Sequence, residues 1–174
     1  LHGNGILTRH PFANPLVVSL PRCENNFESA EKRLGGRIGI LVDIRVGEQS
    51  LLATTAHLDV VNTPQCRGRQ MRAMLEAVEA RVKQSPAANH PVIFGGDLNT
   101  HTFAGGNRLH AMRNTAIILG SRRQRLAHRF AHPERKEPAI RELARFGYET
   151  AALNDRTATA RSFVSGLDDP KGLP

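Results

Sequence analysis

The sequence predicts an α/β protein of the α+β type, with a mixed sheet and helices packed outside it. Three observations carry this. Residues 38–46 alternate in the manner of a strand and return as a second strand after a short turn, so part of the sheet is antiparallel. From Thr63 onward, apolar residues recur at helical steps. A third apolar run, Val92-Ile93-Phe94, then reads as a strand ended by Gly95-Gly96. Hairpin, helix, strand and further helices, in that order, match neither a strict βαβ series nor an all-β chain.

The elements follow in order. Gly3–Arg9 reads as a short strand stopped by Pro11. Leu16–Leu20, enclosed by Pro15 and Pro21, reads as a second. Residues 22–36 form a polar loop ending in Gly35-Gly36. Ile38, Ile40, Val42, Ile44 and Val46 give the next strand one fully apolar face. Gly47-Glu48-Gln49 is a tight turn, and Ser50–His57 is the returning partner. Thr63 and Pro64 supply an N-cap and a proline at the first helical position. Met71, Met74, Leu75, Val78 and Val82 form one apolar face of a long helix that ends near Ser85-Pro86. Two basic helices are expected around 108–127 and 135–146, and a short strand at 162–164.

Composition narrows the class. The chain has 174 residues, enough for a single domain spanning 1–174 with its own core. Hydrophobic residues make up 40 % and charged residues 23 %, which excludes a disordered polyelectrolyte. No apolar run is long enough to span a bilayer, and no N-terminal signal pattern is present. The chain starts at Leu1 on the approach to a strand, so its true N-terminus is expected to lie upstream. Cys23 and Cys66 lack zinc spacing and read as two free thiols of a reducing compartment, with a single disulfide left open. That reading leaves the compartment unknown, with the cytoplasm slightly favoured.

Net charge is +8 and uneven. Residues 1–100 carry 11 Lys/Arg against 9 Asp/Glu, and residues 101–174 carry 13 against 7. Individual arginines on helices ordinarily mark a solvated face. A basic segment beside a candidate site nonetheless suits a phosphorylated or polyanionic substrate. Aromatic residues are few, with seven Phe, one Tyr and no Trp, so no base-stacking platform stands out.

Polar groups concentrate where strands end. Thr8-Arg9 closes the first expected strand, His57 the hairpin, and Asp97 and Asn99 the strand at 92–96. Each alone has a plain structural reading: Arg9 a surface residue, His57 a satisfied histidine, Gly96-Asp97-Leu98-Asn99 a strand-ending turn. Together they resemble one site at one sheet edge. A carboxylate and a carboxamide two residues apart on an extended chain project together and suit a hard cation. An imidazole can donate to a phosphoryl oxygen, and an arginine can clamp phosphate.

Three motifs in order resemble the endonuclease/exonuclease/phosphatase superfamily, the deoxyribonuclease-I-like metal-dependent phosphoesterases. Gly3-Asn4-Gly5-Ile6-Leu7-Thr8-Arg9 is similar to that family's Gly-Asn-Ala-Ile-Leu-Ser-Arg strand. Thr55-Ala56-His57-Leu58 is similar to its Thr-His-Leu strand end, and Gly96-Asp97-Leu98-Asn99 to its Gly-Asp-Phe-Asn motif. Arg67 to Gln70 fits its Arg-x-x-Gln region. The match covers residues 3 to about 100. It implies a four-layer α-β-β-α sandwich with two mixed, largely antiparallel sheets, incomplete in this chain. It also implies phosphate-ester hydrolysis dependent on Mg²⁺ or Mn²⁺. His57, Asp97 and Asn99 would be catalytic, Asp97 and Asn99 metal-binding, and Asn4 and Arg9 substrate-binding. Substrates would be nucleic acid, a phosphorylated small molecule or a lipid head group.

The departures from the family pattern imply a domain truncated at both termini. The metal-binding glutamate that precedes the Gly-Asn motif and the closing Ser-Asp-His triplet are not in this sequence. The alternative function is a non-catalytic, basic nucleic-acid-binding module. It accounts for the charge but gives His57, Asp97 and Asn99 no task. A third reading pairs His101 with Asp97 as zinc ligands, although no further ligand stands at suitable spacing.

Overall fold

The β2–β3 hairpin is the centre around which the other described elements are arranged. In the computed structural model, which describes residues 3–23, 36–60, 62–85, 90–100 and 108–149, strand β2 runs Ile38–Val46 and β3 runs Gln49–His57. Their register is antiparallel from Gly39↔Ala56 to Val46↔Gln49. Gly47 takes φ 62° at the first position of the two-residue turn, where glycine meets no steric cost. Strand β1, Phe12–Ser19, pairs antiparallel with β2, and β4, Val92–Asp97, pairs parallel with β3. The sheet order is β1-β2-β3-β4.

Parallel pairing of β3 and β4 needs a crossover, and α1, Pro64–Lys83, provides it. Thr63 caps the helix by accepting the Cys66 N–H, and Pro64 sits at the first turn, where no N–H is needed. The buried face of α1, Met71, Met74, Leu75 and Val78, packs on Leu41, Leu52 and Ala56 of the sheet. Gly39 lies directly beneath Met74, where a Cβ would meet its sulfur. Helix α4, Pro138–Arg145, crosses α1 and adds Ala139 and Leu143 to this core. Gly68 of α1 allows the close approach of Pro138.

Two arginine–glutamate clamps lock α1 to α4. Arg67 and Glu137 are both 0 % exposed, with Nη2–Oε1 at 2.6 Å and Nε–Oε2 at 3.0 Å. The Arg67 Nη1 also donates to the Asn62 carbonyl at 3.0 Å. Five residues on, Arg72 meets Glu142 in the same bidentate form, 2.6 and 3.1 Å. The hydrogen bond from Arg72 holds the Glu142 carboxyl below its ordinary range. At the far end of α1, Arg81 bonds Asp43 of β2, which also accepts from Asn14 of β1 at 2.9 Å. Burial pushes the Asp43 carboxyl upward, but the bonds from Arg81 and Asn14 and the charges of Arg81 and His90 outweigh it and hold it below 3.8.

The described residues thus supply one mixed sheet and a helical layer on one of its faces. Several local expectations are corrected. Gly3–Arg9 forms no ladder among the described residues. Its alternating glycines have no side chain to bury, and Leu7 stands fully exposed. In place of a short strand at Leu16–Leu20, β1 begins at Phe12 and passes through Pro15 on the sheet edge. Asn14 at φ 52° and a register shift between Ala13 and Leu16 absorb the missing donor. The basic stretch 108–127 is not one helix. It breaks at Gly120, giving α2, Arg108–Gly120, and α3, Arg123–Ala131. The second basic helix is shorter than expected, with a 3-10 turn at Pro133–Arg135 before α4.

Cys23 and Cys66 are joined in a disulfide and are not free thiols. The fold brings the exit of β1 beside the first turn of α1, where Gln70 Nε2 donates to the Pro21 carbonyl at 3.0 Å, and sets the two Cα atoms 6.0 Å apart. No described helix is long and apolar enough to cross a membrane. His101 and the segment 162–164 lie outside the described residues.

Two stability predictions follow from these contacts. Glu137→Ala should cost about 3–5 kcal/mol in urea unfolding, because it strands a buried guanidinium. Arg67→Met with Glu137→Leu should recover most of that loss, and a double variant as unstable as the single would contradict it. Asp43, with its lowered folded pKa, contributes stability that is present above the unfolded value near 3.8 and lost as pH falls through the folded value. Asp43→Asn should therefore flatten the acid limb of stability against pH, measured by urea midpoints from pH 7 downward.

Candidate functional site

Parallel pairing places the C-terminal ends of β3 and β4 side by side. The last register pair is His57↔Asp97. Ala56 belongs to the α1-facing core, so alternation turns His57 to the opposite face, and Asp97 with it. His57 Nε2 lies 3.8 Å from Asp97 Oδ2, with the side chains 33 % and 64 % exposed. This is a partly exposed imidazole, its Nε2 buried, beside an exposed carboxylate at a sheet edge supported from behind by a packed core.

The segment after Asp97 turns sharply. Asp97 Oδ1 accepts the Asn99 N–H at 3.0 Å, and Asn99 takes φ 49° in the left-handed region. Strand β4 ends at Asp97, so Asn99 does not project alongside it from an extended chain. Its Nδ2 instead donates to the Leu58 carbonyl at 2.8 Å, and Leu58 N–H donates to the Asp97 carbonyl at 2.9 Å. The run Gly96–Asn99 is therefore a strand-ending Asx turn, and that turn holds Asp97 and Asn99 against the end of β3. Gly96 makes this possible. It has φ 133°, and a Cβ there would meet the Ala56 carbonyl oxygen and nitrogen.

A second set of side chains fixes the other arm of the edge. Asp59 N–H donates to Gln70 Oε1 at 3.0 Å, while Gln70 Nε2 donates to Asp59 Oδ2 at 2.9 Å. Arg37 Nε donates to Asp59 Oδ1, also at 2.9 Å. Gln70 is fully buried, so this exchange ties the chain just beyond His57 to α1. Sequence reasoning missed Asp59 and Arg37. The Arg-x-x-Gln spacing was the available signal, but its two members part ways, Arg67 to Glu137 and Gln70 to Asp59. Cys23, Cys66 and Asp59 bring ligand-type atoms together. Their sulfurs are joined and both Asp59 oxygens are engaged, so this cluster does not offer a cation an open coordination set.

The two remaining candidates separate. Asn4 Nδ2 donates to the Ile38 carbonyl at 2.6 Å, at the start of β2, the same end of the sheet as His57. Arg9 lies two residues before Pro11, whose carbonyl accepts from Arg45 N–H near the hairpin turn. Arg45 lies seven positions along β2 from Ile38, roughly 23 Å at strand rise. The structure therefore brings His57, Asp97, Asn99 and Asn4 to one sheet end and leaves Arg9 toward the other.

Donor chemistry at this edge suits a hard cation. Asp97 presents an exposed carboxylate, and Asn99, with its amide nitrogen committed to Leu58, keeps a carbonyl oxygen to accept. Oxygen donors in small number are what Mg²⁺ takes from a protein, with waters and substrate oxygens completing its shell.

With the fold and this edge defined, the chain is an α/β domain carrying a histidine–carboxylate pair at the ends of parallel strands. No protein-family model matches it, and neither does any curated protein. It is similar over part of its length to several solved structures. One is the human Nocturnin catalytic domain with bound sulfate anion: TM-score 0.38, 17 % identity, covering 52 % of this chain and 31 % of that one. Another is ANGEL2, a 2′,3′-cyclic phosphatase, in complex with adenosine-2′,3′-vanadate: TM-score 0.40, 14 % identity, covering 62 % and 30 %. The matched region is thus about a third of each of those chains.

Gly96→Ala tests whether close backbone approach builds the edge. It should destabilise the fold by about 2–4 kcal/mol, from the clash with Ala56 and the positive φ together. Gly95→Ala, where a Cβ meets nothing within 4 Å, is the control and should cost far less.

Proposed function

We propose that this chain is part of a metal-dependent phosphoester hydrolase of the endonuclease/exonuclease/phosphatase type, with the early glutamate and the Ser-Asp-His triplet contributed from outside residues 1–174. The observation that carries this is the His57–Asp97 register pair, backed by Asn99 and reached through the motif order Asn4, His57, Asp97-Leu98-Asn99.

On this reading Asp97 and Asn99 would hold a Mg²⁺ or Mn²⁺ ion, which neutralises phosphoryl charge and favours attack by water. His57, whose Nε2 lies 3.8 Å from Asp97 Oδ2, would donate to a phosphoryl oxygen as negative charge grows there. The Asp97 carboxylate accepts from the attacking water and fixes its direction. Asn4, held at the same sheet end by its bond to the Ile38 carbonyl, would face the phosphate. The substrate is a phosphorylated one: nucleic acid, a small phosphate ester or a lipid head group. Arg9, placed toward the far end of the sheet, is not assigned a contact with the reacting phosphate.

Turnover of a phosphoester panel by the full-length protein, with and without Mg²⁺, tests this. Asp97→Ala should lower kcat at least about 100-fold while leaving substrate affinity within about fivefold. His57→Ala should do the same and remove any pH dependence that the imidazole imposes. Tight substrate binding with no Mg²⁺-dependent turnover would favour the basic binding module instead.

A further inference from the structure

Helix α2 is apolar on two sides. His110, Asn114, Ile117 and Ile118 share its half-buried side. On the other side Leu109, Met112 and Leu119 recur at helical spacing and are 73 %, 70 % and 81 % exposed. No residue of α2 is fully buried. The outward side of a surface helix is ordinarily polar, so an apolar stripe there marks a contact surface.

Charge decides the kind of partner. Residues 98–133 contain six arginines and neither aspartate nor glutamate. Arg108 and Arg113 border the stripe, and Arg122 follows just beyond its end, all three exposed. A second copy presenting the same segment would be repelled. Nucleic acid would use the cations but not the leucines, and α2 has no aromatic residue on which a base could stack. A single convex helix edge suits a surface that deforms around it, and a fluid bilayer does.

We infer that α2 docks on an anionic lipid bilayer. Leu109, Met112 and Leu119 enter the acyl boundary, and Arg108, Arg113 and Arg122 meet the acidic head groups. This docking is independent of the phosphoesterase chemistry and stands or falls without reference to turnover.

Co-sedimentation with vesicles tests it. The chain should bind phosphatidylcholine vesicles containing about 30 mol % phosphatidylserine and not phosphatidylcholine alone. Leu109→Ser with Leu119→Ser should weaken binding at least about tenfold with an unchanged far-ultraviolet circular dichroism spectrum. Leu119→Trp gives the chain its sole tryptophan. Its emission should shift to the blue on acidic vesicles and be quenched by brominated acyl chains. Equal binding by the serine variant, equal binding to neutral vesicles, or a tryptophan that stays in water would overturn the proposal. So would tight binding to RNA or to an acidic protein with no vesicle binding.

Discussion

Two parallel strands cannot be joined by a tight turn, and most of the structure follows from that constraint. The chain leaves β3 at His57 and must return to the start of β4 at Val92, so it has to cross the sheet. Helix α1 is that crossing, and its apolar face buries the hairpin as it passes. The same geometry fixes where chemistry can gather. Parallel neighbours end at the same edge, so His57 and Asp97 meet without any long loop to carry them. An antiparallel β4 would have put Val92 beside His57 and sent Asp97 to the far edge.

Polar groups are consumed in building the edge. Asp97 spends one oxygen on its own turn, Asn99 spends its amide on Leu58, and Gln70 exchanges two bonds with Asp59. The Asp97 carboxylate stays exposed beside the partly exposed His57 imidazole. Turn and site are therefore not competing descriptions of Gly96–Asn99. The turn positions the site, and glycine at 96 is required because the β4 backbone passes too close to Ala56 for any side chain.

Local signals in the sequence were enough where pattern and packing agree. The alternation of Ile38–Val46, the Thr63-Pro64 helix start and the apolar steps from Met71 to Val78 each have one structural solution, and the structure adopts it. Legibility failed where a partner far along the chain decides the outcome. Gly3–Arg9 has strand composition but no strand beside it among the described residues, so Arg9 never reaches the common edge. Pro15 looks like a barrier, yet an edge strand with a bulge tolerates it. The Cys23–Cys66 bond depends on the meeting of β1's exit with α1's first turn, which no spacing in the sequence reveals. Asp59 and Arg37 are ordinary charged residues until Gln70 is seen to be buried beside them.

The distribution of arginines completes the physical picture. In the folded body the guanidinium groups of Arg37, Arg67, Arg72 and Arg81 are each matched to a carboxylate, Asp59, Glu137, Glu142 and Asp43. Those charges hold elements together and add little to the field outside. The stretch from Leu98 to Pro133 follows a different rule, with arginines and no acidic residue of its own to match them. Positive charge there lies exposed at Arg108, Arg113 and Arg122. It accompanies α2, whose outward side is apolar, and the two features call for the same kind of surface: one that is both negative and greasy.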